Sequence, residues 1–324
     1  MYDEIATLYH LVYPDWDAAI AQQAAALDGI IRKQVGPRPR SILDVSCGIG
    51  TQALGLAALG HTVTASDLST AAVERARREA AQRNLTIDFT VADMRRCTEV
   101  HGSGFDVVLS ADNSIPHLLR DDAIREALGS FHRCLRPGGL TILGVRDYST
   151  EERSSPQLVP YGFRSDGDDR YFVVQTRDWE GDFYDVAMYF IREARGSNPA
   201  TVISVSSRYY AVPIGRLVSL LEETSFIEIQ RLDGVLYQPV LVARRGADRH
   251  PDPLPDPAIR DLTKLGFNHV CFAVDDLEAE VAMLKAKGVQ LWNEIMAFHD
   301  RKLVFLSGPE GITVELAEWD RSRG

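Results

Sequence analysis

Short apolar runs alternate with helix-length amphipathic segments along the first half of this chain. The runs predict strands near Ser41–Val45, Thr62–Ser66, Thr86–Val91, Phe105–Ser110 and Thr141–Val145. Helices are predicted between them, among them Ser69–Arg83, with Asp67-Leu68-Ser69 as its N-cap, and Asp121–Leu135. Tyr2–Lys33 reads as helical, with Tyr2, Tyr9, Tyr13 and Trp16 clustered on it, and Arg136-Pro-Gly-Gly139 reads as a turn into the fifth strand. Strand alternating with helix implies an α/β fold with a doubly wound, mostly parallel, Rossmann-like sheet.

From about Tyr161 the pattern changes. Tyr171–Thr176, Tyr184–Ile191 and Thr201–Ser206 are β-rich and joined by turn residues, which predicts an antiparallel β insertion over about 160–212. A helix at Ile214–Glu223 and strands near Phe226–Arg231 and Pro239–Ala243 would complete a first domain, 1–245. Residues 246–264 carry Pro251, Pro253, Pro255 and Pro257 and read as a stiff, extended linker. Residues 265–324 hold a βαβββ pattern: Phe267–Val274, Leu277–Lys287, Gln290–Phe298, Lys302–Ser307 and Thr313–Ala317. A unit this small is expected to dock on the first domain or pair with another copy, which makes a homodimer possible.

Composition narrows the partners. A formal net charge of −11 over 324 residues argues against nucleic acid and against an anionic membrane surface. Four scattered cysteines, Cys47, Cys97, Cys134 and Cys271, form no Cys-x-x-Cys pair and look like reduced thiols. Met1-Tyr-Asp-Glu lacks a signal-peptide pattern and no apolar run is long enough to span a bilayer, so a cytoplasmic protein is expected.

The chemistry concentrates at Ser41–Thr51, where an apolar strand enters a Gly-x-Gly turn and a helix follows. The next strand ends on Asp67. Glycines there let the backbone approach a nucleoside, and a carboxylate on the second strand suits ribose hydroxyls. The dinucleotide fingerprint needs a third glycine, which Gln52-Ala53 lacks. S-adenosylmethionine therefore fits better, and methyl transfer is the first reading. Asp44, Ser46, Gly48 and Gly50 would lie under its methionine part, Asp67 and Leu68 beside its ribose, and Asp93 and Met94 beside its adenine. Ser114 and His117 would lie along the cofactor edge or between cofactor and substrate. Each of these acids, taken singly, is also a plausible helix cap, and His117 is either a core histidine or a general base.

Four stretches carry a family resemblance: Asp44–Gly50, Asp112–His117, Leu135–Gly139 and Arg146–Tyr148. They resemble the glycine and sarcosine N-methyltransferase group of class I methyltransferases. That likeness implies that Asn113 and Arg146 hold an amino acid substrate and that a tyrosine near Tyr13 closes over the methyl group. A guanidinium just after the fifth strand suits a bidentate carboxylate grip; a surface salt bridge with Asp147 or a nearby acid is the competing reading. Asp112 departs from the group, which commonly has a small residue there. It sets a carboxylate beside the transfer centre, counts against glycine as substrate, and would partner a cationic side chain.

The C-terminal unit resembles one module of the vicinal-oxygen-chelate superfamily, which includes glyoxalase I, through Phe267–Asp275 and Gly311–Leu316. The likeness implies a divalent metal (zinc, iron, nickel or manganese) on His269 and Glu315, with His299 completing a 2-His-1-carboxylate set. The superfamily builds its cup from two modules and this chain holds one. The module could pair across two chains, fold over the first domain, or serve only as a dimerisation surface. The fusion resembles bacterial 2-oxo acid C-methyltransferases. It implies C-methylation at the β-carbon of a 2-oxo acid through a metal-stabilised enolate, giving a β-methyl amino acid precursor. His117 or Tyr13 would be the base, His117 preferred because imidazole titrates near neutral pH. Two alternatives are a metal-independent N-methyltransferase with a structural module, and a binding protein with a vestigial site.

Overall fold

Five parallel strands, β1 (Ser41–Asp44), β2 (Thr62–Asp67), β3 (Asp88–Val91), β4 (Phe105–Ser110) and β5 (Leu135–Gly144), form the heart of the first of two units. The computed structural model describes residues 2–193, 200–246, 270–298, 301–307 and 313–319. The units are Met1–Asp248 and Arg249–Gly324. Two antiparallel strands, β10 (Phe226–Leu232) and β11 (Val240–Arg245), complete a seven-stranded mixed sheet of order β10-β11-β5-β4-β1-β2-β3. Connections leave β1 in one direction for β2 and return on its other side to β4. The carboxyl ends of β1 and β4 thus flank the switch point where such sheets bind ligands.

The central strands β1, β4 and β11 are mostly apolar and buried on both faces, whereas the edge strands β3 and β10 are partly exposed. Ile42, Val63, Val107 and Ile142 face one core, built with α2 (Trp16–Val35), α3 (Thr51–Ala58) and α4 (Thr70–Gln82). Leu43, Val108 and Leu143 face the other, built with α6 (Asp121–Cys134) and α7 (Ile214–Glu223). Helices α2 and α3 approach closely at Gly55, where an added Cβ would lie 2.5 Å from Ala24 Cβ and 2.7 Å from the Ile20 carbonyl oxygen.

The N-terminal segment differs from the single helix its composition suggests. It consists of α1 (Tyr2–Ile5), a 3₁₀ turn (Tyr9–Val12) and then α2. Pro14 explains the break: it drives Tyr13 into extended backbone, φ −94° and ψ 142°, and Asp15 then caps α2 by accepting the Ala18 N–H at 2.9 Å. Arg136–Gly139, read as a turn ahead of the fifth strand, lies inside β5. The pairing there jumps from Leu135–Phe105 to Leu140–Val107.

The insertion is a four-stranded antiparallel meander, β6 (Gln157–Asp166), β7 (Asp169–Glu180), β8 (Phe183–Glu193) and β9 (Thr201–Tyr210). Its inward face carries Val173, Tyr184, Val186, Met188 and Phe190, and α1 contributes Ile5 to the same core. In the second unit β12 (Val270–Ala273), α8 (Leu277–Ala286), β13 (Met296–Phe298), β14 (Arg301–Ser307) and β15 (Thr313–Trp319) form a sheet of order β12-β15-β14-β13. Strands β12 and β15 run parallel, and Leu277, Val281 and Val304 make its small core. Of the proline-rich segment, only Gly246 lies among the described residues. Among the described residues no helix is long and apolar enough to cross a membrane.

Candidate active site

Two adjoining cavities open at the carboxyl ends of β1, β2 and β4. The larger, about 460 Å³, is lined by Ser46, Gly48, Asp67, Leu68, Asp93, Met94 and Ser114, together with His117, Tyr2 and Asp3. Backbone geometry builds its floor. Gly48 and Gly50 hold φ of +52° and +98°, left-handed values that let the chain turn from β1 into α3. The Gly48 N–H donates to Asp67 Oδ2 at 2.9 Å, which ties the loop to the end of β2. Asp67 Oδ1 accepts the Ser69 N–H at 2.9 Å, and burial pushes its carboxyl above the ordinary range. Asp93 accepts the Arg95 N–H at 2.9 Å and pairs with its guanidinium, which holds the Asp93 carboxyl down.

Two residues assigned to this site from sequence stand behind it. Gly50 shapes the turn without lining the cavity, its position packed against Leu54 and Ala76. Asp44 is fully buried: Oδ1 accepts the Ser46 N–H at 3.2 Å and Oδ2 has no partner. Burial raises its carboxyl to about 8. A partnerless acceptor beneath a glycine cradle, with Asp67 at the next strand end, fits a ligand that brings N–H or O–H donors. S-adenosylmethionine carries both, an ammonium at its methionine end and hydroxyls on its ribose.

The smaller cavity, about 250 Å³, shares Tyr2, Tyr9 and Asp112 with the first. Seven tyrosines line it, Tyr2, Tyr9, Tyr13, Tyr161, Tyr184, Tyr209 and Tyr237, with Asn113, Arg146, Gln175, Arg177 and Gln238. Asp112 and Asn113 take left-handed φ of 55° and 62°, a conformation that Asp and Asn tolerate better than most residues. Asp112 thereby reaches both cavities. Its Oδ2 accepts the Tyr13 hydroxyl and the Gln52 amide, each at 2.9 Å, and its Oδ1 accepts the Tyr237 hydroxyl at 2.9 Å. The carboxylate expected to await a cationic side chain is thus held by three neutral donors.

Asn113 also supports its neighbours in the lining. Its Oδ1 accepts the Arg146 N–H at 2.9 Å and its Nδ2 donates to Tyr148 Oη at 2.7 Å, so the amide positions Arg146. Of the acids considered from sequence as partners for Arg146, Asp147 or one nearby, its guanidinium meets the nearby Glu151 at 3.2 Å, and Asp147 pairs with Arg231 at 2.8 Å.

His117 differs from expectation in its acidity. Both ring nitrogens face hydroxyls, Nε2 with Tyr2 Oη at 3.0 Å and Nδ1 with Ser207 Oγ at 3.3 Å. The ring packs on Tyr209 at 4.1 Å between centroids, and burial pushes it down to about 4. The near-neutral titration that recommended it as a base is absent. Tyr13 fares no better as a base, because burial and the neighbouring Asp112 push its phenol well up and it donates.

Several lining residues escaped the sequence reading. Tyr184 was legible in the alternation of β8, where Tyr184, Val186, Met188 and Phe190 are all buried. Tyr237, Gln238 and Arg177, with Glu151 behind the lining, lie on a loop or strand without a local motif.

In the second unit, Glu315 is buried, with the Cys271 thiol at 3.4 Å and the Arg301 guanidinium at 3.6 Å. His269 and His299 lie outside the described residues. Glu278, whose carboxylate groups with those of Asp276 and Glu318, pairs with Lys302 at 2.8 Å. Arg301 thus stands beside Glu315 and Lys302 beside Glu278.

The family described as "Methyltransferase domain" matches residues 42–139. A "Glycine/sarcosine N-methyltransferase" of Parasynechococcus marenigrum (strain WH8102) is 34% identical over 137 residues, 41% of this chain and 48% of that one. The "Glycine N-methyltransferase" of Rattus norvegicus is 30% identical over 164 residues, 45% and 52% of the two chains. The chain thus matches only about half the length of these curated relatives. Among solved structures, DesVI of Streptomyces venezuelae aligns with a TM-score of 0.61 at 19% identity, covering 69% of this chain and 91% of that one. SAM-bound CalS10, an amino pentose methyltransferase of Micromonospora echinaspora, gives 0.62 at 19%, covering 74% and 95%. The first unit therefore carries a class I S-adenosylmethionine-dependent methyltransferase domain that resembles the glycine/sarcosine N-methyltransferases.

Proposed function

We propose that this chain transfers a methyl group from S-adenosylmethionine to the amino nitrogen of a small acceptor bearing a carboxylate. One observation carries the reading: the tyrosine-lined cavity adjoins the cofactor cavity at Asp112 and presents two guanidiniums, Arg146 and Arg177. When bound, S-adenosylmethionine supplies a methyl group activated by its sulfonium. Ser46, Gly48, Asp67, Asp93 and Met94 are the residues that would hold it.

The chain's own residues then orient the acceptor. Arg146, fixed through its backbone by Asn113, grips the carboxylate. The phenol rings around the cavity suit an amine that enters as a cation. Asp112, held by Tyr13, Gln52 and Tyr237, stands at the junction to receive the amine's hydrogen. Fixing donor and acceptor in line is worth about 7 kcal/mol.

The acidities of His117 and Tyr13 favour nitrogen over carbon. A neutral amine arrives with its lone pair, whereas a carbon beside a carbonyl must first lose a proton. His117 is pushed down to about 4 and Tyr13 is pushed up, so neither removes such a proton near neutral pH. Metal-assisted C-methylation of a 2-oxo acid is the second reading. It rests on Glu315, a carboxylate 2% exposed in the second unit, and Arg301 beside it weighs against a metal there.

The test is S-adenosylhomocysteine release, followed by mass spectrometry, with amino acids and the matching 2-oxo acids, with and without a chelator. Chelator-insensitive turnover of amines is expected. Turnover confined to 2-oxo acids and abolished by chelation would overturn the proposal in favour of the second reading.

A further inference from the structure

Arg177 stands on the wall of the tyrosine-lined cavity with its side chain 6% exposed. Its Nε donates to Gln175 Oε1 at 2.8 Å. Its Nη1 donates to Glu151 Oε2 at 2.9 Å, while the other oxygen of Glu151 meets Arg146 Nη1 at 3.2 Å. One carboxylate therefore bridges both guanidiniums that line the cavity. Glu151 belongs to the loop between β5 and β6 and is not itself part of the lining. Arg146 Nε is buried without a partner, so that guanidinium has donor capacity left after Glu151 has taken its share.

At the guanidinium end of the cavity, two guanidiniums less one carboxylate leave one net positive charge, while Asp112, the other acid of the lining, stands at the junction with the cofactor cavity on three neutral donors. A ligand with one carboxylate neutralises that positive charge. A second carboxylate would enter a low-dielectric chamber without a counter-charge, and buried charge lacking a partner is costly. We propose that Glu151 is a specificity-determining residue, which by neutralising one of the Arg146–Arg177 pair restricts the cavity to acceptors with a single carboxylate. The inference rests on the cavity's holding the acceptor carboxylate. Discrimination arises from what the site leaves unpaired, not from a steric stop.

The test uses butanoate and succinate, equal in chain length and differing by one carboxylate, titrated calorimetrically into the full chain. Wild type binds butanoate more tightly. In Glu151→Gln the ratio of affinities moves toward succinate by about tenfold or more. Glu151→Gln combined with Arg177→Gln removes one charge of each sign and brings the ratio back to within about threefold of wild type. An unchanged ratio in Glu151→Gln, or a double variant that fails to return, overturns the proposal. Should Glu151→Gln not fold, Arg177→Gln alone decides: both ligands weaken by about tenfold if the charge count is right, and unchanged affinities refute it. Failure of wild type to bind either probe would overturn the carboxylate reading of the cavity itself.

Discussion

Tyr13 and Asp112, ninety-nine residues apart in sequence, meet phenol to carboxylate at 2.9 Å where the two cavities join. The contact fastens the segment ahead of α2 to the end of β4. Removing the hydroxyl in Tyr13→Phe leaves Asp112 with Gln52 and Tyr237 as donors. We expect kcat/KM to fall about 10- to 100-fold, the worth of a hydrogen bond to a charged group. Cofactor affinity, measured by calorimetry with S-adenosylhomocysteine, should change little. Equal losses in both would place Tyr13 in the cofactor site instead.

His117 titrates at about 4 in the folded chain, against an ordinary value of 6.5. The unfolded chain therefore takes up the proton first, and this residue's stabilising contribution is lost as pH falls from about 6.5 through about 4. Wild type should lose stability more steeply than His117→Gln across that window in urea titrations. Turnover against pH should show no limb near 6.5 that His117→Gln abolishes.

Asp44 runs the other way. Its folded carboxyl stays protonated up to about 8, whereas the unfolded one ionises near 3.8. Stability from this residue is complete below about 4 and is lost as pH climbs through 8. In the ligand-free chain Asp44→Asn should raise the melting temperature at pH 8 by about 4 °C or more and flatten its decline from pH 5. S-adenosylhomocysteine binding should weaken in the same variant. A melting curve that shifts equally at both pH values would refute the buried-proton account.

Gly55→Ala should cost about 1–3 kcal/mol in urea unfolding. The new Cβ would fall 2.7 Å from the Ile20 carbonyl oxygen, and backbone cannot swing aside as a side chain can. The same helix pair carries two contacts that steady the site, Trp16 Nε1 donating to Thr51 Oγ1 at 2.9 Å and Gln52 Nε2 donating to Gln23 Oε1 at 2.8 Å. Cofactor affinity should therefore fall along with stability.

Much of this fold was legible because its signals are local. Apolar runs of four to six residues marked β1, β2 and β4, and Gly48 and Gly50 marked the turn that only left-handed backbone can make. Tyr13-Pro14-Asp15-Trp16 also carried the break in the N-terminal segment, since proline restrains the residue before it and aspartate caps the helix after it. The acceptor cavity was only half legible. Arg146 could be named through the family resemblance, which its place after the fifth strand supported. Glu151 and Arg177 could not, because their meeting depends on how the β6–β9 meander lies over the loop after β5. The acidity of His117 was misjudged for the same reason: sequence shows an imidazole, and only packing against Tyr2, Tyr209 and Ser207 shows how far it is shielded from solvent.

Seven phenol rings around one chamber also make it an optical reporter. Trp179 lies 4.6 Å from Tyr184, centroid to centroid, close enough for light absorbed by the phenol to pass to the indole. Filling the chamber changes the polarity around Tyr184 and its neighbours, and so the colour and yield of that emission. Occupancy can then be followed in the unlabelled chain, in real time, by its own fluorescence.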